Sequence, residues 1–202
     1  MSRLATALIL TALCALTACS ILKPRPDPSR FYVLTATIEA PGLPAAADGL
    51  ILGLGPIKLP DYLERSQLVT RVGANQVVFS DFERWAEPLD RNFGRVLREN
   101  LSRLLNTEKI ISLPAFVPLA VRYEVPLEVL HFESDDKGVV ELSARWAIRN
   151  PTDRKLLYTT ESRIIETASA NKTEAVVATL SRTVGKLGEE IAAEIRRVSA
   201  TP

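Results

Sequence analysis

Histidine and cysteine are scarce, with one and two respectively among 202 residues. One histidine excludes His-pair metal sites and leaves little room for imidazole catalysis. Two cysteines exclude a disulfide framework and a cysteine-rich zinc site. An excess of either charge is missing too: 25 Lys and Arg face 24 Asp and Glu, a formal net charge of +1. That balance gives no electrostatic reason to expect nucleic acid or an acidic surface as partner. Phosphate-loop patterns are absent. Gly53 and Gly55 have no third glycine and no GK[ST] after them, so they read as a bulge or close packing point. No G-x-S-x-G occurs either. These absences argue against most enzyme classes, and no catalytic, cofactor-binding or metal-binding residue is assigned.

A hydrophobic run long enough to cross a bilayer is also lacking. The uncharged stretch Leu4 to Ala18 has 15 residues, short of the roughly 20 that a spanning helix needs. Preceded by Arg3, it reads as a secretory signal peptide over residues 1–18. Leu16-Thr17-Ala18-Cys19 resembles the bacterial lipobox. In that chemistry the Cys19 thiol takes a diacylglyceryl group as a thioether. Small residues admit the peptidase, and the freed amine is then acylated. Several acyl chains give stable anchoring where one does not. Ser20, where inner-membrane lipoproteins tend to carry Asp, points to outer-membrane sorting with the body facing the periplasm. Arg3 and Cys14 leave with the signal. The remainder carries 24 basic and 24 acidic side chains and no free thiol once Cys19 is lipidated.

Residues 19–30 then form the lipidated cysteine and a tether with prolines at 24, 26 and 28. At about 3.1 Å per residue such a segment reaches roughly 30 Å. Residues 31–202 read as one periplasmic domain, long enough to bury a core.

Phe31 to Thr35 is expected as a first strand and the apolar stretch Leu50 to Leu59 as a central one. Pro60 to Arg65 reads as a turn or single helical turn, and Gln67–Arg71 with Gln76–Ser80 as a hairpin around Gly73-Ala74-Asn75. Pro88 suits a helix start, after which Leu89, Phe93, Leu97, Leu101, Leu104 and Leu105 recur at helical spacing. Arg91, Arg95, Arg98 and Arg103 fall largely off that stripe. Interleaved with Asp90 and Glu99, they read as a solvated face rather than a phosphate-binding row. Val121–Glu133, Val139–Asn150 and Lys155–Thr167 are expected strands. Val140, Leu142, Ala144, Trp146 and Ile148 alternate onto one face of the second. Thr173 is expected to cap a long final helix whose Val176, Val177, Leu180, Val184, Leu187, Ile191 and Ile195 make one apolar stripe. The order β-β-β-β-α-β-β-β-α predicts an α/β protein of the α+β kind: a single mixed, largely antiparallel sheet with two long amphipathic helices packed on it.

His131 reads as a surface or rim residue. Asp135 and Asp136, near Glu133, read as a polar turn rather than a calcium loop. Glu83 and Glu87 flank Trp85 without any set separation.

G-P-I-K-L-P-D-Y-L-E-R-S-Q-L-V-T-R at 55–71, R-W-A-E-P-L at 84–89, L-R-E-N-L-S-R-L-L at 97–105 and F-Y-V-L-T at 31–35 together resemble the ABC-type transport auxiliary lipoproteins, the PqiC (YmbA) group. The resemblance is strongest between Gly55 and Leu105. It implies an outer-membrane partner of an MCE-type lipid transport system, docking a periplasmic MCE-domain protein and, through it, an inner-membrane component. A homo-oligomer matching a ring-shaped MCE assembly would fit. Tyr62, Leu63, Arg65 and Trp85 are the candidate partner-binding residues, as loop aromatics and their neighbours on a rigid sheet. The alternative is that Tyr62, Leu63 and Trp85 cap the core from inside. Two other functions stay open: an outer-membrane regulator of cell-wall synthesis, which the short tether disfavours, and a lipid-binding carrier, which requires a large apolar cavity.

Overall fold

A computed structural model of the chain describes residues 26–39, 50–115, 120–170 and 172–200; the signal peptide, Cys19 and most of the tether lie outside them. In chain order the elements are β1 (Arg30–Tyr32), β2 (Leu52–Lys58), a 3-10 turn (Asp61–Leu63), β3 (Gln67–Gly73), β4 (Gln76–Trp85), α1 (Leu89–Leu105), β5 (Ile110–Ser112), β6 (Tyr123–Asp135), β7 (Val139–Arg149), β8 (Leu156–Thr167) and α2 (Thr173–Ala200). All strands belong to one mixed sheet, covered on one face by the two helices. The expected architecture is therefore correct.

The long ladders, β3–β4, β6–β7 and β7–β8, are antiparallel. Shorter parallel ladders join β1 to β4, β2 to β5, β2 to β6 and β3 to β6. β6 is the trunk of this sheet. β7 runs along one of its edges from Glu124 to Ser134. The other edge is therefore shared, with β2 pairing at Tyr123–Glu128 and β3 only at Ser134–Asp135. The 3-10 turn, in the connection from β2 to β3, belongs to this fork.

Burial follows the apolar patterns. Val140, Leu142, Ala144, Trp146 and Ile148 of β7 are all buried, together with Phe93, Leu97 and Leu101 of α1. Phe93 meets Phe132 edge-on at 5.2 Å between ring centroids, a favoured aromatic geometry. The sheet's other face is solvated and laced with cross-strand ion pairs, among them Arg149–Glu124 at 2.6 Å, Arg145–Glu161 at 2.9 Å and Arg163–Glu141 at 2.8 Å. Such a half-wetted antiparallel region explains why alternation was readable there.

Two expectations need correction. β5 was not anticipated, because three residues are too few to show a period. The first strand spans 30–32 rather than 31–35. After Tyr32 the chain leaves the sheet and enters the seam between the helices. There side chains replace a strand neighbour. The Leu34 N–H donates to Asn92 Oδ1 at 2.7 Å, and the Thr37 and Ile38 N–H groups donate to Asn100 Oδ1 at 3.1 and 3.2 Å. From α2, Ser181 Oγ accepts the Thr35 N–H at 3.2 Å. Arg103 Nη1 closes the strap by donating to the Ile38 carbonyl at 2.6 Å. Gly185 makes room for it, since a β-carbon there would lie 2.5 Å from Thr37 Oγ1.

Asn92 and Asn100 are fully buried, so they act as a substitute ladder within an apolar helix face. Replacing Asn92 by Leu strands the Leu34 N–H in a dry site. The expected cost is about 1–3 kcal/mol, read by urea unfolding, with faster proteolysis between Arg30 and Ile38 under native conditions.

Candidate functional site

The segments Pro60–Arg65 and Arg84–Pro88 come together in space but expose few of the side chains singled out from sequence. The Trp85 N–H donates to the Ser66 carbonyl at 2.6 Å, and the Ala86 N–H to the Tyr32 carbonyl at 2.9 Å. Leu63 is 2% exposed and Trp85 7%. They do not protrude as anchors, which corrects the picture of loop aromatics standing free: both cap the core from inside. Tyr62 is half-buried, and Arg65 alone of the four is fully on the surface, its guanidinium 4.9 Å above the Phe79 ring.

Leu63 and Trp85 still reach a common cavity of about 270 Å³. Leu68, Phe132 and Leu180 complete its apolar floor. Its rim is polar, with Glu83, Asp135 and Asp136 facing Lys172 near the start of α2. A cavity of this kind takes one apolar side chain of a partner, with polar groups around it to set orientation.

Tyr62 turns the other way, to Glu133. That carboxylate is 3% exposed in its side chain and sits at the fork of the sheet. Glu133 Oε1 accepts from Arg71 Nε at 2.7 Å; Oε2 accepts from the Tyr62 hydroxyl at 3.0 Å and from the Phe132 N–H at 2.8 Å. His131 Nδ1 lies 3.2 Å from Oε1 on the half-exposed side. The lone histidine is thus a rim residue beside a structural carboxylate. Burial raises the Tyr62 pKa to about 12, helped by the Glu133 charge and hydrogen bond.

The acids weighed for chemistry also have structural work. Asp135 Oδ1 accepts the Lys137 and Val139 N–H groups at 2.9 and 2.7 Å, shaping the β6–β7 turn. Glu83 bonds Ser80. Glu87 binds the Asn92 amide and pairs with Arg95, whose guanidinium holds the Glu87 carboxyl below the usual range. Through Asn92, Glu87 thereby supports the strap. Among the described residues no three His, Cys, Asp or Glu side chains converge as a metal site, and no helix is long and apolar enough to cross a membrane.

Sequence reasoning passed over Arg71, Asn92 and Asn100, and weighed Glu133 only beside Asp135 and Asp136 as an acidic turn. The asparagines carried a signal, being polar residues inside an apolar stripe. Arg71 and Glu133 carried none, because 62 residues and a sheet fork separate them.

Removing Arg71 alone leaves a buried carboxylate without its cation. Arg71→Met is expected to cost about 3 kcal/mol in chemical denaturation, while Arg71→Met with Glu133→Leu and Tyr62→Phe recovers most of that loss. Tyr62 itself predicts alkaline behaviour. Its folded pKa lies above the ordinary value of 10.0, so its contribution is complete below pH 10 and declines as pH rises through about 12. Tyr62→Phe should remove that part of the slope in a pH series of melting curves.

The fold is shared with known structures. A protein from Xanthomonas campestris superposes with a TM-score of 0.72 at 12% identity, covering 85% of this chain and 97% of its own. Another crystal structure, of an uncharacterized protein, gives a TM-score of 0.68 at 20% identity, covering 83% and 98%. At these identities the likeness speaks for the fold alone. No curated protein sequence matches. Residues 32–192 match the family described as the ABC-type transport auxiliary lipoprotein component. That stretch runs from the end of β1 into the last turns of α2, so the chain belongs to the ABC-type transport auxiliary lipoprotein family.

Proposed function

We propose that the chain is a lipid-anchored, periplasm-facing adaptor of an intermembrane transport system of the MCE/ABC type, supporting outer-membrane integrity. Cys19 carries the acyl chains, Ser20 directs the protein to the outer membrane, and the proline tether lets the domain stand off the bilayer. The partner is a periplasmic MCE-domain protein, connected through its own assembly to an inner-membrane component. The observation that carries this reading is the family match over residues 32–192. One cavity supports this reading as a place for docking. Leu63 and Trp85, from two separate motif segments, line one cavity with an apolar floor and polar rim. A side chain of the partner inserts there, so these residues receive an anchor rather than supply one. Cell-wall regulation and lipid carriage find less support. Four cavities lined by described residues hold about 270–450 Å³ each, and none of these four encloses a whole two-chain lipid.

Crosslinking in cells, mild detergent extraction and mass spectrometry test the adaptor directly. The expected result is co-purification of an MCE-domain protein, lost or reduced at least tenfold with Lys172→Glu on the cavity rim. Cys19→Ala should leave the protein out of the outer-membrane fraction. A penicillin-binding protein in the eluate instead would replace the adaptor reading with wall regulation.

A further inference from the structure

The face of α1 away from the strap carries a second feature. Between α1 and the segment that follows β5 lies an open groove of about 450 Å³. Its apolar floor includes Leu54, Ile57 and Leu113, and its helical wall includes Arg91, Arg95 and Arg98. Positions i, i+4 and i+7 share one helix face, so the three guanidiniums line the same side. Arg103, the fourth arginine of the row, does not join them, because it serves the strap.

The groove wall is held in place. The Leu113 N–H donates to the Leu54 carbonyl at 2.7 Å. Leu113 then lies directly over two glycines of β2. A β-carbon on Gly53 would come within 2.7 Å of Leu113 Cδ1, and one on Gly55 within 2.7 Å of the Leu113 carbonyl oxygen. Gly55 also has φ +115°, which suits glycine. The close packing point expected for these glycines is thus what brings Leu113 down as the groove's edge.

Charge in the groove is unevenly used. Glu87 is taken by Arg95 at 2.8 Å and by Asn92, and the only other acid in the lining is Asp90. Arg91 is near enough to Glu87 to favour its ionised form. Even so, neither Arg91 nor Arg98 has a hydrogen bond or ion pair among the described residues. Two forked cationic donors therefore stand at the mouth of an apolar trough.

We propose that this groove binds an amphipathic anion. A phosphate or carboxylate head is held by Arg91 and Arg98, and the first carbons of its chain lie over Ile57, Leu54 and Leu113. Guanidinium forks match such oxyanions bidentately. An acidic peptide or free phosphate would use the arginines and leave the apolar floor wet, so the combination selects an amphiphile. The volume suits a headgroup and the start of one chain.

The inference stands apart from the adaptor reading, since its test involves no protein partner. The full-length protein in a non-ionic, phosphate-free detergent is titrated calorimetrically with hexyl phosphate, inorganic phosphate, hexanol and an acidic hexapeptide. Hexyl phosphate should bind at least tenfold tighter than any of the other three. Arg91→Gln with Arg98→Gln should weaken it at least tenfold, and Ile57→Ser should bring it down to the level of inorganic phosphate. Arg145→Gln, on the solvated sheet face, should leave it unchanged. Circular dichroism and melting curves check that each variant is folded. Equal affinity for inorganic phosphate, tighter binding of the peptide, absent binding of hexyl phosphate, or unchanged affinity in the double arginine variant would each overturn the proposal.

Discussion

Glu133 places a carboxylate, with almost no access to water, where one edge of β6 passes from β2 to β3. A buried charge of this kind is tolerated only when its acceptor sites are filled. The fillers come from three places: Arg71 on β3, Tyr62 on the turn, and the backbone N–H of Phe132 on β6 itself. The electrostatic demand of one side chain therefore ties β3 and the turn that precedes it to the trunk. Everything that lies beyond the fork inherits its placement from this lock. The β3–β4 hairpin, the Trp85 cavity and the pairing of β1 all hang from the β3 branch, whereas β5 hangs from β2. An apolar substitute at the same place would satisfy burial without specifying direction. Two directional contacts, from Arg71 and Tyr62, give β3 and its turn an orientation as well as a contact.

Legibility in the sequence tracked how local the determining physics is. β7 and α1 were readable because their burial depends on their own spacing: Val140 to Ile148 at every second residue, Leu89 to Leu105 at every third or fourth. β1 was misread beyond Tyr32 because Val33, Leu34 and Thr35 have strand-like character, while their partners turn out to be Asn92 and Ser181 on helices. No propensity scale registers a side-chain amide standing in for a strand. Gly53 and Gly55 were readable as a packing point, but the identity of the packed residue, Leu113, was not.

The candidate site divides the same way. Motif resemblance located the segments 55–71 and 84–89 without saying which way their side chains point. Leu63 and Trp85 point inward to a shared cavity, Tyr62 to a buried acid, and Arg65 outward over Phe79. Motif residues that hold geometry and motif residues that meet a partner look alike in sequence. They separate only when burial is known. Here Tyr62 and Arg71 hold the fork and Glu87 supports the strap, while the cavity mouth and the arginine-lined side of α1 are the surfaces proposed for recognition.

The strap also decides how the domain responds to tension. A load applied through the residues before Pro26 arrives first at the three-residue pairing of β1 with β4. By itself that short edge ladder is a weak attachment. The next contacts, however, are bonds to Asn92 and Asn100 on α1 and Ser181 on α2, with Leu34 buried between them. The pull is thereby passed into the core, to two helices of 17 and 28 residues that already pack on the sheet. A domain so built carries a pull on its N-terminal strand into its core rather than along its sheet edge.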